Sequence, residues 1–409
     1  MFRELDIRGK YGKEVTPEAF LRLGTAAAEM FETLAVGMDY RPHNEKLLQA
    51  FLAGYRHKVT FLGYAPTPAV AFLSRKAGLS LTASHNPAGY NGAKFFRART
   101  YVTEKEMAEL KRRFDAVAME QSQLLPLPQA DREAVREYED SIPEMTKGVF
   151  DLGGGAVCAL KHLFPHSIFN APDPLFEKRA PEPKDETLGE LKRITAEGPA
   201  VGFAFDGDGD RVMLCDRGKV IEGDVTAAFA AERLLKKGDC MVLSIDCRQE
   251  VFDRCSDAGF KVFTSKVGDA HVLRLAVERR AALSAERSGH FSIPKHAPDS
   301  DGVYFAALLC DARAGELADF SAGFRNVTLK KEEYCRADFD KLKKLAGEKG
   351  PAELITIDGV KAVFEDYTIL LRASTTETKV RINSEAGTQE KAKQGMMLAE
   401  GLLAKARIK

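Results

Sequence analysis

The regular alternation of strand-like and helix-like segments is the feature that most constrains the fold of this 409-residue chain. In the third quarter, "VTAAFAAERLLKK" is typical of a helix, "CMVLSID" of a buried strand and "VFDRCSDAGF" of a helix. The series continues with the strand-like "KVFTSK" and the helix-like "DAHVLRLAVERRAA" and "DGVYFAALLCDA". Such alternation predicts βαβ units around mostly parallel or mixed sheets. The first quarter of the chain repeats the pattern.

The C-terminal segment has a different pattern. "ELITIDGVKAVFEDYTILLRAS" predicts a hairpin with a two-residue turn at Asp358-Gly359, and "KVRINS" predicts a further strand. The amphipathic "TQEKAKQGMMLAEGLLAKA" then predicts a closing helix, which together favours a small α+β domain. The chain is too long for one hydrophobic core. We therefore predict three consecutive α/β domains with mixed sheets and a smaller C-terminal α+β domain, at residues 1–122, 123–223, 224–322 and 323–409.

Composition narrows the classes of partner. Lysine plus arginine and aspartate plus glutamate both number 60, so the basic excess of most nucleic-acid-binding proteins is missing. Seven cysteines without a CxxC pair favour a reducing compartment. The charged start "MFRELDIRGKYGKE" does not resemble a signal peptide, and the longest charge-free run is shorter than the ~20 apolar residues of a membrane span. We expect a soluble, cytoplasmic protein with no nucleic-acid or membrane partner.

The segment "FAFDGDGDRVMLCD" carries the strongest chemical signal. Asp206, Asp208 and Asp210 alternate with glycine between two strand-like flanks, and carboxylates so close repel one another unless a cation lies among them. Oxygen ligands indicate magnesium or calcium. An EF-hand is excluded because its sixth and twelfth positions are Arg211 and Arg217. Three carboxylates leave coordination positions open, and Arg211 suits phosphoryl oxygens, so the loop favours phosphoryl transfer over a merely solvated acidic turn.

A serine and a histidine lie together in "LTASHNPAGYNGAKFF". Ser84 and His85 follow a predicted strand, Leu79–Thr82, and precede a proline. By themselves they are equally compatible with a local cap or serine turn. A hydrolase nucleophile elbow fits less well, because the flanking glycines of G-x-S-x-G are missing.

Two later segments carry groups suited to a sugar phosphate. In "AERSGHF", Glu286, Ser288 and His290 alternate, so a strand would place all three on one face, towards a polyhydroxylated ligand. A polar sheet edge with a structural histidine is the alternative. "RASTTETKVR", residues 372–381, sets hydroxyl residues between arginines, which suits the phosphate of a monoester, although a solvent-exposed turn has a similar composition.

With these four loops in this order, the chain resembles the α-D-phosphohexomutase family, the phosphomannomutases and phosphoglucomutases. The resemblance covers nearly the whole length, and the strings T-A-S-H-N-P and D-G-D-G-D-R are highly specific together. It implies four domains around a central cleft, each contributing one loop. It also implies interconversion of hexose 1-phosphate and hexose 6-phosphate, of mannose and/or glucose, through a phosphoserine and a hexose 1,6-bisphosphate.

The resemblance further implies roles for individual residues. Ser84 would carry the phosphoryl group and, through it, complete an Mg²⁺ site with Asp206, Asp208 and Asp210. The remaining catalytic residues would be Arg8, Lys94, Arg211 and His290, with His290 or Lys94 as the general base. The substrate-binding residues would be Lys266, Glu286, Ser288, Arg372, Ser374, Thr375, Thr376 and Arg381. A hexose 1,6-bisphosphate is the expected activator.

Other functions remain open from the sequence. A phosphoglucosamine mutase would use the same four loops, and a metal-dependent sugar phosphatase would use Ser84 but let water complete the reaction. A binding protein that has lost turnover is a third alternative. The chain is expected to be a monomer or a small homo-oligomer.

Overall fold

The structure is a computed structural model that describes residues 1–118, 123–374 and 377–408. In these ranges four successive sheets of four to six strands follow one another along the chain, each with its own helices. The predicted fold class, α/β with mixed sheets and a C-terminal α+β unit, is confirmed.

The first sheet is mixed and has the strand order β1-β5-β4-β2-β3, with β6 beside β5. Its strands are β1 (Ile7–Lys10), β2 (Thr33–Met38), β3 (Lys58–Tyr64), β4 (Ala77–Leu81), β5 (Tyr90–Arg97) and β6 (Thr100–Tyr101). Its helices are α1 (Pro17–Ala28), α2 (Asn44–Tyr55), α3 (Thr67–Leu73) and α4 (Glu104–Ala116). The pair β4 and β5 is antiparallel, which sets the loop between them at the sheet end.

Two glycines allow α1 and α2 to pack backbone against backbone. A Cβ atom on Gly24 would lie 2.0 Å from the carbonyl oxygen of Phe51, and one on Gly54 would lie 2.1 Å from that of Leu21. Neither position could therefore hold a larger residue without separating the helices.

The second sheet has the order β11-β10-β9-β7-β8. Its strands are β7 (Val149–Asp151), β8 (Ser167–Ile168), β9 (Gly202–Phe205), β10 (Val212–Asp216) and β11 (Lys219–Ile221), with α5 (Arg132–Glu139), a 3₁₀ helix (Ala156–Leu163) and α6 (Gly189–Glu197). Strands β9 and β10 form a hairpin whose loop contains the three aspartates.

The third sheet has the order β13-β12-β14-β15. It contains α7 (Gly223–Leu234), β12 (Cys240–Ser244), α8 (Gln249–Asp257), β13 (Lys261–Ser265), α9 (Asp269–Arg279), β14 (Leu283–Ala285), β15 (Phe291–Ser292), α10 (Gly302–Leu309) and α11 (Glu316–Ser321). Strands β13, β12 and β14 are parallel, as the alternation predicts.

The C-terminal sheet is antiparallel, with the order β16-β21-β20-β19-β18. Its strands are β16 (Val327–Glu333), β18 (Glu353–Ile355), β19 (Val360–Val363), β20 (Tyr367–Ala373) and β21 (Val380–Ala386). The unit also contains α12 (Phe339–Gly347), α13 (Gln389–Ala406) and a separate two-stranded antiparallel sheet of β17 (Arg336–Ala337) and β22 (Arg407–Ile408). The predicted hairpin is present between β18 and β19, but the predicted two-residue turn is wrong. Ile355 pairs with Lys361, which leaves a longer loop, because the Asp358 side chain bonds outwards to Val267 N instead of closing a tight turn.

The four sheets do not each have a separate apolar core. One continuous core joins α3 of the first sheet to the second and third sheets and their helices. A further large cluster fills the first sheet and α1, α2 and α4. The C-terminal sheet, α12 and α13 close over a core of their own, drawn from residues 335–406. The C-terminal unit is therefore held to the rest of the molecule mainly by polar contacts.

Candidate active site

Ser84 lies in the loop after β4, buried against the second sheet. Its Oγ donates to Asp206 Oδ2 at 2.9 Å, and the ring nitrogen His85 Nδ1 lies 3.2 Å from the same oxygen. Arg211, then burial and Arg8, lower the pKa of His85, so that imidazole is neutral at physiological pH. The serine predicted from the sequence and the first aspartate of the triplet are thus in direct contact.

The three aspartates converge as predicted. Each is buried, and one carboxylate oxygen from each lies within 4.8 Å of the other two. Lys94 extends from β5, where it pairs with Ser80, and its Nζ donates to Asp208 Oδ2 at 2.8 Å and to Asp210 Oδ2 at 2.5 Å. Burial lowers the pKa of Lys94, but the two aspartates outweigh this and raise it, so the ammonium group is charged.

The triplet fits a hard divalent cation. Asp208 Oδ1 and Asp210 Oδ1 are buried and have no hydrogen-bond partner in the described residues. Burial and the neighbouring Asp210 and Asp208 raise the pKa of Asp206 well above its usual range, while Asp210, beside Lys94 and His290, has a lowered pKa. Unpartnered carboxylate oxygens that repel one another are the donors that Mg²⁺ prefers.

Thr67 is a neighbour of the triplet that the sequence did not single out. Its Oγ1 donates to Asp208 Oδ2 at 2.7 Å, and its backbone N–H donates to Asp208 O at 2.9 Å. It is the first residue of α3, so the first sheet's own helix orients a carboxylate of the second sheet. The distance of 141 residues between the two left no signal in the sequence.

Glu286, Ser288 and His290 do converge, although not as alternate residues of a strand. They lie in the turn between β14 and β15, where Gly289 has a φ of +93°. His290 Nδ1 lies 2.9 Å from Glu286 Oε2 and 3.1 Å from Ser288 Oγ. A tight turn with Glu286 N bonded to His290 O brings their side chains together, which alternation on a strand would have spaced apart.

His290 connects this turn to the metal-binding loop. Arg211 Nε and His290 Nε2 are 3.1 Å apart, and the same ring nitrogen lies 3.4 Å from Asp210 Oδ1. Burial lowers the pKa of His290, but the carboxylates of Asp269 and Asp210 outweigh it and raise the pKa to about 10. The charged imidazole therefore lies between the carboxylate of Glu286 and that of Asp210.

A cationic cavity of about 240 Å³ lies between the third sheet and the C-terminal sheet. Arg372 and Arg381, both predicted to bind phosphate, line it, and so do Arg287 and Lys330, which the sequence did not indicate. Arg372 Nε lies 2.7 Å from Asp358 Oδ2. The half-buried Asp246 is a carboxylate on the same wall.

The remaining predicted residues are placed less centrally. Arg8 lies on β1, with Nη2 donating to Asp6 Oδ2 at 2.6 Å, close enough to affect the pKa of His85. Lys266 follows β13 and is exposed. Ser374 accepts from Glu377 N at 3.3 Å, whereas Thr375 and Thr376 lie outside the described residues.

Known domain families match most of the chain. Residues 1–120, 157–219, 222–327 and 326–398 match, in order, the domain families described as phosphoglucomutase/phosphomannomutase α/β/α domains I, II and III and the C-terminal domain. A phosphoglucomutase/phosphomannomutase family protein of Burkholderia thailandensis, of known crystal structure, superposes with a TM-score of 0.86 at 25% identity, over 98% of this chain and 96% of that one.

Two curated relatives cover almost the full length. A probable phosphoglucosamine mutase of Methanocella arvoryzae is 30% identical over 98% of this chain and 98% of its own. A phosphoglucomutase/phosphomannomutase of Thermococcus kodakarensis is also 30% identical, over 99% of each chain. The chain therefore belongs to the phosphoglucomutase/phosphomannomutase family, whose members are enzymes of carbohydrate metabolism that transfer phosphoryl groups.

None of the helices in residues 1–118, 123–374 and 377–408 is both long and apolar enough to cross a bilayer.

Proposed function

We propose that this protein interconverts the 1-phosphate and 6-phosphate of a hexose, glucose and/or mannose, with Ser84 carrying the phosphoryl group between turnovers. The observation that carries the proposal is the contact of Ser84 Oγ with Asp206 Oδ2, at 2.9 Å, inside a buried aspartate triplet. A hydroxyl so placed is suited to in-line transfer, which depends mainly on positioning and charge neutralisation.

The reaction has two half-steps. The P–O bond to Ser84 breaks as a new P–O bond forms to the free hydroxyl of the hexose phosphate, which gives the 1,6-bisphosphate. The hydroxyl loses its proton, and the serine oxygen regains one when its phosphate has left. After the bisphosphate turns over in the cleft, the second phosphate returns to Ser84, which releases the isomer.

The residues of the triplet would hold Mg²⁺, whose charge would offset the negative charge of the phosphoryl group. Arg211 lies beside it to bind phosphoryl oxygens. His290 and Lys94 are the two groups we propose to accept the hydroxyl proton. Both have raised pKa values in this state, so each must first give up its own proton.

The cationic cavity suits the phosphate that is not transferred. Arg372, Arg381 and Arg287 line the cavity with guanidinium groups. Glu286 and Ser288, in the turn after β14, would accept hydrogen bonds from the sugar hydroxyls. Because the bisphosphate must present each end in turn, one cavity has to accept both the 1-phosphate and the 6-phosphate. Its open, cationic lining supports that use.

An amino sugar phosphate is the second candidate substrate. The carboxylate of Asp246 lines the cavity, and a carboxylate there would attract the ammonium group of a glucosamine phosphate. The relative in Methanocella arvoryzae carries the name phosphoglucosamine mutase, which supports the same alternative.

A coupled assay decides between these candidates. The purified protein, with Mg²⁺ and a hexose 1,6-bisphosphate present, is supplied in turn with glucose, mannose and glucosamine 1-phosphates, and both the 6-phosphate and free inorganic phosphate are measured. We expect isomerisation of glucose or mannose phosphate with little free phosphate. Phosphate release at a comparable rate would indicate a phosphatase, and no product from any of the three would overturn the proposal.

A further inference from the structure

The backbone of Ser84 adopts a conformation that a serine does not favour. Its φ is +51°, in the left-handed region that non-glycine residues enter rarely. Such a conformation is strained and persists only where surrounding contacts hold it. The contacts that hold Ser84 therefore decide where its oxygen points.

Arg41 makes most of those contacts. It is 2% exposed, and its Nη2 donates to the carbonyl oxygens of Ser84 and Asn86, both at 2.5 Å. Its Nη1 donates to the carbonyl oxygens of Pro87 at 2.8 Å and Tyr90 at 3.2 Å. One guanidinium group thus binds four backbone carbonyls of the loop that displays the serine.

Asp39 fixes Arg41 and also reaches the other side of Ser84. Its carboxylate accepts from Arg41 N at 2.9 Å, Arg41 Nε at 3.1 Å and Asn44 Nδ2 at 2.7 Å. It also accepts from Thr82 Oγ1 at 2.7 Å, and that hydroxyl accepts from Ser84 N at 2.8 Å. Both backbone groups of Ser84, the N–H and the C=O, are therefore tied to the pair Asp39–Arg41.

The same pair contacts the second sheet's side of the cleft. The guanidinium of Arg41 lies 5.1 Å from the ring centroid of Phe176, in the long loop between β8 and α6. A Cβ atom added to Gly207, in the metal-binding loop, would lie 2.5 Å from Ser84 O. The serine is thus set between the arginine and the metal-binding loop, with little freedom to move.

We propose that Arg41, oriented by Asp39, is the positioning residue of Ser84: its guanidinium holds the loop 84–90 so that Ser84 Oγ faces the aspartate triplet. This inference rests on the proposed role of Ser84. Arg41 touches no reacting atom, and so acts only through the backbone of the loop.

The substitution Arg41→Lys keeps the positive charge but removes the planar guanidinium group with its several N–H donors. Lysine keeps a cation beside Asp39 but cannot reach four carbonyl oxygens from one planar group. A displacement of about 1 Å in a reacting atom costs ~100-fold in rate, so we expect kcat to fall by about that factor. KM should stay within about threefold of the parent value, because the groups that bind the sugar phosphate are unchanged.

The matched control is Asp216→Asn. Asp216 is also fully buried, and its carboxylate accepts from Gly315 N at 2.8 Å and Ala318 N at 2.9 Å, on the far side of the second sheet. It should lower thermal stability without changing kcat beyond about twofold. An Arg41→Lys protein that turns over at the rate of this control would overturn the proposal.

Hydrogen exchange supplies a readout that does not depend on turnover. In the intact protein, the amides of residues 84–86 and 88–90 should exchange at least ~10-fold faster in Arg41→Lys than in the parent or in Asp216→Asn. Unchanged exchange in this segment would overturn the proposal even if kcat fell. If the parent isomerises no sugar phosphate, the proposed function fails, and exchange alone still decides whether Arg41 holds the loop.

Discussion

The two ends of the cleft are built in opposite ways. Around Ser84, the first, second and third sheets meet over buried charged groups, and α3, the second sheet and the third sheet share one apolar core. At the other end, the C-terminal unit has a separate core and contacts the third sheet through polar groups. Glu385 accepts from Gln249 N at 2.8 Å and Glu250 N at 3.2 Å.

The reacting end is therefore expected to be rigid, and the C-terminal unit is expected to move. The chemistry of phosphoryl transfer needs fixed atoms, so the reacting end is over-determined by contacts. The phosphate that is not transferred must enter and leave the cavity with each substrate. A unit attached mainly by hydrogen bonds can move to allow this with little loss of apolar burial. We therefore expect the C-terminal unit to close over the substrate and exclude water. Substitutions at the two ends should separate these roles, with the largest effects at the reacting end and the smallest at the attachment of the C-terminal unit.

Replacement of the nucleophile tests the reacting end most directly. Ser84→Ala should lower isomerisation by at least ~10⁴-fold, because no other group can carry the phosphoryl group, while leaving the melting temperature nearly unchanged. The measurement is the coupled assay with the bisphosphate present. The control is Ser74→Ala, at a buried serine that directly follows α3, and it should retain activity. Near-normal turnover by Ser84→Ala would remove the serine from the mechanism.

Metal removal tests the aspartate triplet. Treatment with a chelator should abolish activity, and added Mg²⁺ should restore it. Asp208→Asn should weaken Mg²⁺ binding, measured by titration calorimetry, by more than ~100-fold, because it removes one charged oxygen ligand. Asp216→Asn serves as the control for loss of a buried carboxylate. Activity that survives chelation would contradict a divalent ion at this site.

Removal of a guanidinium group tests the cationic cavity beside the C-terminal sheet. Arg372→Ala should raise KM for the sugar phosphate by about 10–100-fold with a smaller change in kcat, since a charge-assisted hydrogen bond contributes ~1.5–3 kcal/mol to binding. Arg336→Ala, an exposed arginine of the same unit, should change neither value. A fall in kcat with an unchanged KM would place Arg372 at the reacting end and break the contrast.

The smallest effect concerns the attachment of the C-terminal unit. Glu385→Gln keeps the shape but removes the charge that binds the first turn of α8, and should cost about 1–2 kcal/mol of the free energy of unfolding. Hydrogen exchange should rise at the amides of Gln249 and Glu250. Urea unfolding gives the free energy, with the exposed Glu353→Gln as control. Equal unfolding of the two variants would mean that Glu385 does not hold the units together.

Much of the molecule could be predicted from residue patterns because these are local. The period of the apolar residues places the βαβ elements, and the spacing D-x-D-x-D between two strands is enough to indicate a cation-binding loop. The alternation of Glu286, Ser288 and His290 did not predict how their side chains meet, because they lie in a turn after β14 that contains a glycine with positive φ. The prediction of a two-residue turn at Asp358 was wrong because the Asp358 side chain accepts from Val267 N, which is distant in the sequence.

The order of the elements, the four loops and the acidic triplet were determined by the sequence alone, since each rests on neighbours within a few residues. Only the tertiary structure set Lys94 against Asp208, 114 residues away, and placed Arg41 beneath the carbonyl oxygens of the serine loop. The local sequence around Asp39 and Arg41 does not predict this contact. The reason is physical: a buried charge acquires its role from whichever groups the packed sheets bring within hydrogen-bonding distance, and those are fixed when the sheets pack.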